Sequence, residues 1–342
     1  MKGILLSEPG LLQVTDFPEP PPPGPGEVLV RVHRVGVCGT DLHAFRGRQP
    51  FFTYPRILGH ELGVEVLSVG AEVSTVAAGD RCAVEPYLNC GRCIACRAGK
   101  PNCCTQLKVL GVHVDGGLRE RFVLPAAKLH RSTRLSFEQL ALIETLGIGA
   151  HAVERAMVTA GETVAVLGTG PIGLSVIQFA LAAGARVLAL DLNAGRLAFC
   201  REQLGLAADA VIDTASASDV AGSLAERTGG DLPTVVFDAT GNAASMAASF
   251  NYPAHGGRLV FVGLFQGDVA FNDPNFHRRE LTLFGSRNSR PDDFRQIISA
   301  VESGRVDTNP WITHHAALAE VPDRFASWTD PASGVVKAMI AI

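Results

Sequence analysis

The sequence predicts an α/β protein of two domains: one β-rich and irregular, the other a doubly wound parallel sheet. Three observations predict this. The chain has 342 residues, of which 47% are hydrophobic, enough for two cores. Up to about residue 145, short β-prone runs are separated by glycine-rich turns. Beyond residue 160, continuous apolar runs begin at 163, 186, 210, 234, 258 and 281, in steps of 23 or 24 residues, mostly with helical segments between them. Such runs alternating with helices indicate parallel strands covered on both faces. The expected division is 1–147 with 287–342 for the first domain and 148–286 for the second.

The elements follow in order. A first strand is expected at 3–7. PEPPPPGPGE (18–27) holds six prolines and two glycines. That excludes helix or central strand, so it reads as a stiff surface connection to a second strand, 28–35. Further short strands are expected at 63–69, 80–85 and 118–124. In the second domain the strands are TVAVLG (163–168), RVLALD (186–191), AVID (210–213), TVVFDA (234–239), RLVFVG (258–263) and LTLFGS (281–286). Helices are expected at 171–183, 194–204 and 216–228. A helix at 291–303 and a strand at 335–341 should return to the first domain.

Composition excludes several functions. The net charge of −4, with acids and bases interspersed, leaves no basic stripe for nucleic acid. The opening MKGILLSEPG has one lysine, and Glu8 and Pro9 interrupt its apolar run, so it does not read as a signal peptide. The apolar stretch from Leu174 to Leu190 is broken by Gln178, Gly184 and Arg186, so it is too short and polar to span a bilayer. A soluble cytoplasmic protein is expected.

GTGPIG (168–173) follows an apolar strand and opens an apolar helix. In that context a glycine pattern indicates dinucleotide binding, as in a Rossmann domain. Gly168 allows the tight turn, Gly170 lets the backbone approach a pyrophosphate, and Gly173 lets helix and strand pack closely. Pro171 and Ile172 lie in the first helical turn, where a proline's missing N–H costs nothing. The helix start faces the phosphates. Asp191, ending the second strand, would accept from ribose hydroxyls and repel a 2′-phosphate, which favours NAD over NADP. Arg196 reads either as an adenine-side contact or as a solvated helix residue. Val262 and Gly263 ending the fifth strand with Leu264 after it, and Ser286 ending the sixth with Arg287 after it, are further candidate cofactor contacts.

Five of the eight cysteines lie in CGRCIACRAGKPNCC (90–104). Clustered cysteines in a reducing compartment bind metal more often than they form disulfides. Cys90, Cys93 and Cys96, with one of the adjacent pair Cys103 and Cys104, can close a tetrahedron around zinc. Four protein ligands leave no place for substrate, so this ion would be structural. A second, open set is CGTDLH with GHE: Cys38, Thr40, Asp41, His43, His60 and Glu61. Taken singly, Cys38 reads as readily as a core thiol and His60 as an ordinary satisfied histidine. Together they form a thiolate–imidazole–carboxylate set with room for an exchangeable ligand.

The segments VGVCGTDLHAFRG (35–47), PRILGHELGVEV (55–66), AAGDRCAVEP (77–86), CGRCIACRAGKPNCC (90–104), IETLGIGAHAVERA (143–156) and VAVLGTGPIGLSV (164–176) run in order along the chain. In these the chain resembles the zinc-dependent medium-chain alcohol/polyol dehydrogenases, in the sorbitol, threonine and galactonate dehydrogenase-like branch. The resemblance implies a GroES-like catalytic domain beside the Rossmann domain, NAD as cofactor, and two zinc ions per chain. It implies Cys104 as the fourth structural ligand. It implies Cys38 and His60 on the catalytic zinc, Glu61 as a directly bound, exchangeable ligand, Glu144 as a ligand in some states or the hydrogen-bond partner of the zinc-bound water, and Asp41 hydrogen-bonding the far nitrogen of His60. This chain reads ETL where relatives often read EPL, so the loop after Glu144 departs from the pattern. Thr40 and His43 match a proton relay to solvent during hydride transfer to NAD. A homodimer or homotetramer is implied too.

Glu61 and Glu144, and the lack of cysteine in 143–156, resemble the polyol branch more than the ethanol branch. GSRN (285–288) looks like the matching segment of galactonate-type dehydrogenases. Arg278, Arg279, Arg287 and Arg290, with Arg48 and Arg56, are candidate carboxylate binders, though surface or cofactor contacts are the plainer reading. The expected reaction oxidises a secondary hydroxyl of a polyol or sugar acid to the ketone. Simple alcohols or a sugar phosphate are the enzymatic alternatives. A non-enzymatic NAD-binding scaffold is the third, although such a protein should lose Cys38, His60 or the relay.

Overall fold

The structure, a computed structural model, describes residues 1–50 and 52–342. Its strands in chain order are β1 (Lys2–Glu8), β2 (Leu11–Asp16), β3 (Glu27–Gly36), β4 (Glu61–Val69), β5 (Arg81–Val84), β6 (Tyr87–Leu88), β7 (Lys108–Val109), β8 (Arg121–Pro125) and β9 (Leu129–Arg131). Then follow β10 (Thr163–Leu167), β11 (Arg186–Asp191), β12 (Val211–Asp213), β13 (Val235–Asp238), β14 (Arg258–Phe261), β15 (Thr282–Gly285), β16 (Ile312–Ala317) and β17 (Lys337–Ala341). The chain divides into two compact units, Met1–Thr145 with Arg290–Ile342, and Leu146–Ser289.

In the first unit a sheet runs in the order β16-β17-β3-β4-β5-β9, with β8 also paired to β3. β3 shows why it forms: Val28, Val30 and Val32 are buried while Arg31 faces solvent, the period-two pattern of a sheet with one face on a core. The core it joins includes Leu62, Val64 and Val66 of β4, Phe122 and Leu124 of β8, and Phe325 and Trp328 near the C-terminus. Register matters for function. Gly36 at the end of β3 faces Glu61 at the start of β4. β17 pairs with the same end of β3, Met339 opposite Gly36. Three strand ends therefore meet where Val37, Cys38, Glu61 and Lys337 lie.

The expected connection 18–27 leads from β2, not β1, into β3. β2 escapes pattern reading because only Leu12 of its six residues is buried. The helix Phe137–Arg155 and strand β16 were not expected either.

The second unit holds a six-stranded parallel sheet in the order β12-β11-β10-β13-β14-β15. This is the 3-2-1-4-5-6 order of a doubly wound dinucleotide fold, and its ligand crevice lies where the order reverses, beside β10. Val164, Val166, Leu188, Val235, Val236 and Phe237 are fully buried, as expected of strands covered on both faces. Among the described residues no helix is long and apolar enough to cross a membrane.

Candidate active site and metal centres

The glycine turn follows β10 directly and the helix Pro171–Ala182 starts after it. Gly168 has φ +84°, a backbone region costly for other residues. A Cβ on Gly173 would lie 1.8 Å from the Gly168 carbonyl oxygen, so helix and turn touch backbone to backbone. Gly170 differs. A Cβ there would meet nothing nearer than Arg196, at 3.7 Å. Protein packing does not demand its bareness, whereas the close approach of a pyrophosphate would. Asp191 is buried; its Oδ2 accepts from the N–H and hydroxyl of Thr169 at 2.7 and 2.9 Å, and its Oδ1 from Asn193 N–H. The carboxylate thus also braces the glycine turn, a role the sequence did not signal. Arg196 is exposed, with Nη1 3.8 Å from Asp191 Oδ2. Val262, Gly263 and Leu264 follow β14, and Ser286 and Arg287 follow β15, all at the carboxyl edge of the sheet.

In the first unit, the thiols of Cys90, Cys93, Cys96 and Cys104 lie within 4.8 Å of one another. Cys93 and Cys96 sulfurs are 3.5 Å apart. A tetrahedron with Zn–S bonds of ~2.3 Å needs sulfurs about 3.8 Å apart, so the cluster fits zinc with little adjustment. Backbone N–H groups of Cys90 and Gln106 donate to Cys104 Sγ at 3.3 and 3.4 Å. Backbone donors at Cys96 and Thr105 hold the Cys93 thiol down to about 5, in the thiolate form metals require. Cys104 is buried in this cluster, while Cys103 is exposed outside it. Cys82 and Cys200 are buried core thiols that desolvation pushes up to about 12.

The second cluster joins Cys38, His60 and Glu61, whose donor atoms also lie within 4.8 Å of one another. Cys38 immediately precedes the helix Gly39–Phe45 and is half-buried; His60 and Glu61 are buried at the start of β4. Burial pulls the His60 imidazole down, but Asp41 and Cys38 more than offset this and leave it well above the usual histidine range. A field that favours a proton on this ring also favours a metal cation beside it. The donor chemistry therefore fits zinc, with three protein ligands and one position for an exchangeable group.

One expectation needs correction. Asp41 does not hydrogen-bond His60: Oδ1 lies 3.7 Å from Nδ1, and neither atom has a hydrogen-bond partner. Its other oxygen accepts from Cys38 N–H at 3.0 Å, which ties it to the helix start. Burial raises the Asp41 carboxyl, against the opposing effects of His60 and that N–H. Asp41 still lies across an ion-pair distance from the imidazole. Glu144, buried in the helix Phe137–Arg155, is outside the donor cluster. Its Oε1 accepts a hydrogen bond from the buried Tyr87 hydroxyl. Burial, with Glu61 adding to it, raises the Glu144 pKa above the carboxylate norm, against the opposing effects of His60 and the Tyr87 hydroxyl.

Thr40 and His43 sit three apart on Gly39–Phe45 and so share a helix face. Thr40 is half-buried and His43 exposed, an arrangement suited to passing a proton outward. Sequence reasoning missed two buried groups. Tyr87 is one; Lys337, bonded to both oxygens of Glu61, is the other. A lysine inside the apolar run VVKAMIAI was the available signal. The arginines are largely engaged locally: Arg56 with Asp115 and Thr53, Arg278 with Asn275, Arg279 with the carbonyls of Asn251 and Pro253, and Arg290 with Asp293. Arg48 is exposed.

Comparison with known families agrees with this donor chemistry. The zinc-binding dehydrogenase family matches residues 171–303, and the alcohol dehydrogenase GroES-like domain matches 24–134. The chain is 41% identical to the L-galactonate-5-dehydrogenase of Escherichia coli K12 over 309 residues, 90% of each chain. It is 33% identical to the L-arabinitol 4-dehydrogenase of Hypocrea jecorina over 325 residues, 92% of this chain and 85% of that one. An Escherichia coli alcohol dehydrogenase solved with cofactor NADH superposes with a TM-score of 0.92 at 31% identity, covering 100% of this chain and 99% of that one. The chain belongs to the zinc-dependent medium-chain alcohol/polyol dehydrogenases. It is an oxidoreductase with a GroES-like domain and a Rossmann domain.

Proposed function

We propose that this protein is an NAD-linked, zinc-dependent dehydrogenase that oxidises a secondary hydroxyl of a sugar acid or polyol to the ketone. The observation that carries the reading is the incomplete donor set of Cys38, His60 and Glu61, beside a second cluster that four thiolates complete. The likeness to the galactonate and arabinitol dehydrogenases supports this substrate class. In the proposed assignment Cys38, His60 and Glu61 hold the catalytic zinc, with Glu144 in reserve, and Cys90, Cys93, Cys96 and Cys104 hold the structural one. The first unit carries the chemistry and the second the cofactor. When bound, zinc supplies a Lewis acid for the substrate hydroxyl, and NAD supplies the hydride acceptor. Thr40 would take the hydroxyl proton as it gives up its own, and His43, facing solvent, would deliver a proton outward. Oxidation would thus remove a hydride from the carbon and a proton from its oxygen, the proton leaving by way of Thr40 and His43. A cytoplasmic setting and a homodimer or homotetramer complete the reading; light scattering measures the assembly.

The test is reduction of NAD with panels of aldonates, polyols and primary alcohols. Turnover is expected with an aldonate or polyol. Turnover of simple primary alcohols alone, or of none of the panels by the two-zinc protein, overturns the assignment. Cofactor choice gives a second expected result. NAD should be preferred over NADP by on the order of 100-fold, and Asp191→Ser should narrow that gap. Because Asp191 also braces Thr169, the variant should raise the KM for NAD as well. An unchanged NAD/NADP ratio in this variant would remove Asp191 from the cofactor site.

A further inference from the structure

Lys337 is 2% exposed, at the start of a buried strand. Its ammonium donates to both oxygens of Glu61, at 2.6 and 2.8 Å, and lies 3.2 Å from both the Val37 carbonyl and the Thr145 hydroxyl. Burying an ammonium costs several kcal/mol unless it is paired and fully hydrogen-bonded, and these four acceptors provide that. The neighbouring strand is shaped around the same pair. A Cβ on Gly36 would come within 2.1 Å of Glu61 Oε2, so this glycine clears the space in which the carboxylate lies. Glu61 is thus held on one side by a fixed cation and sits, on the other, in the Cys38–His60 donor cluster.

We propose that Lys337 is a positioning residue that makes Glu61 a labile zinc ligand: its ammonium competes with the catalytic ion for the carboxylate and keeps the exchangeable position open to substrate. The inference rests on the proposed ligand set of Cys38, His60 and Glu61. Three effects of removing the lysine share one sign. The carboxylate is released to the metal. A positive charge next to a dication disappears. And Glu61, left buried without a partner, gains more from meeting the ion. Neutralising Lys337 should therefore tighten zinc binding, whereas ordinary structural damage at this position would weaken it. The same change should lower kcat, because a carboxylate fixed on the metal competes with the substrate hydroxyl.

The experiment uses the full-length, zinc-loaded protein, with the affinity of the exchangeable zinc read by chelator competition and metal counting. Lys337→Met should bind that zinc at least about tenfold more tightly than the parent, with slower release. Lys337→Arg, which keeps the charge, should stay within about threefold. Lys337→Gln keeps hydrogen-bond donors and similar bulk, and reports the same tightening should the Met variant fail to fold. Equal or weaker zinc affinity in the folded neutral variants overturns the inference. A parent protein that holds one zinc, or whose exchangeable zinc survives Cys38→Ser, would instead overturn the ligand set on which the inference rests.

Discussion

Cys38→Ser is expected to reduce the zinc content from two ions per chain to one and to lower kcat/KM by on the order of 1,000-fold or more, while the fold persists. The substitution exchanges one atom at a half-buried position between β3 and the helix Gly39–Phe45. A serine hydroxyl stays protonated near neutral pH and is a poor zinc ligand, so His60 and Glu61 would be left to hold the ion alone. The residues that hold this part of the unit together are elsewhere: Val28, Val30, Val32 and their partners on β4 and β8 do not depend on the thiol. Metal analysis, the thermal midpoint and steady-state kinetics separate the outcomes. Two zinc ions and full turnover in the variant would show that the reaction is centred elsewhere. A collapse of the thermal midpoint would make Cys38 a structural residue.

What the sequence discloses and what it hides divide along a physical line. The central strands β10, β11 and β13 are buried along nearly their whole length, so each reads as a continuous apolar run without knowledge of its neighbours. The Cys90–Cys104 loop is equally local, because its four thiols lie within fifteen consecutive residues. Partnerships set by sheet register are different in kind. Lys337 and Glu61 are 276 residues apart and meet because β17 and β4 flank the same end of β3. Tyr87 finds Glu144 across 57 residues through a helix whose glycine-interrupted sequence, ETLGIGAHA, gave no clean period. The family pattern named Glu61 and Glu144 together. It carried no information on which acid pairs with a buried lysine and which with a tyrosine hydroxyl, nor on which of them joins the donor cluster.

Cys93→Ser should act on stability first, and the reason lies in how little else holds its loop. The helix Ile94–Arg97 has four residues and buries none of them, and Ile94 is 72% exposed. The following turn, Pro101–Cys103, buries only Asn102. Without an apolar core of its own, the segment depends on convergence of its four thiols, and a metal there supplies folding energy outright. Loss of one ligand is expected to lower the thermal midpoint by roughly 5–10 °C. It should also open residues 90–104 to proteolysis while the folded fraction keeps its exchangeable zinc. Cys103→Ser, outside the cluster, is the control and should change neither reading. An unaltered midpoint in Cys93→Ser would mean that the loop is held by something other than its thiols, and the structural role of the cluster would fall with it.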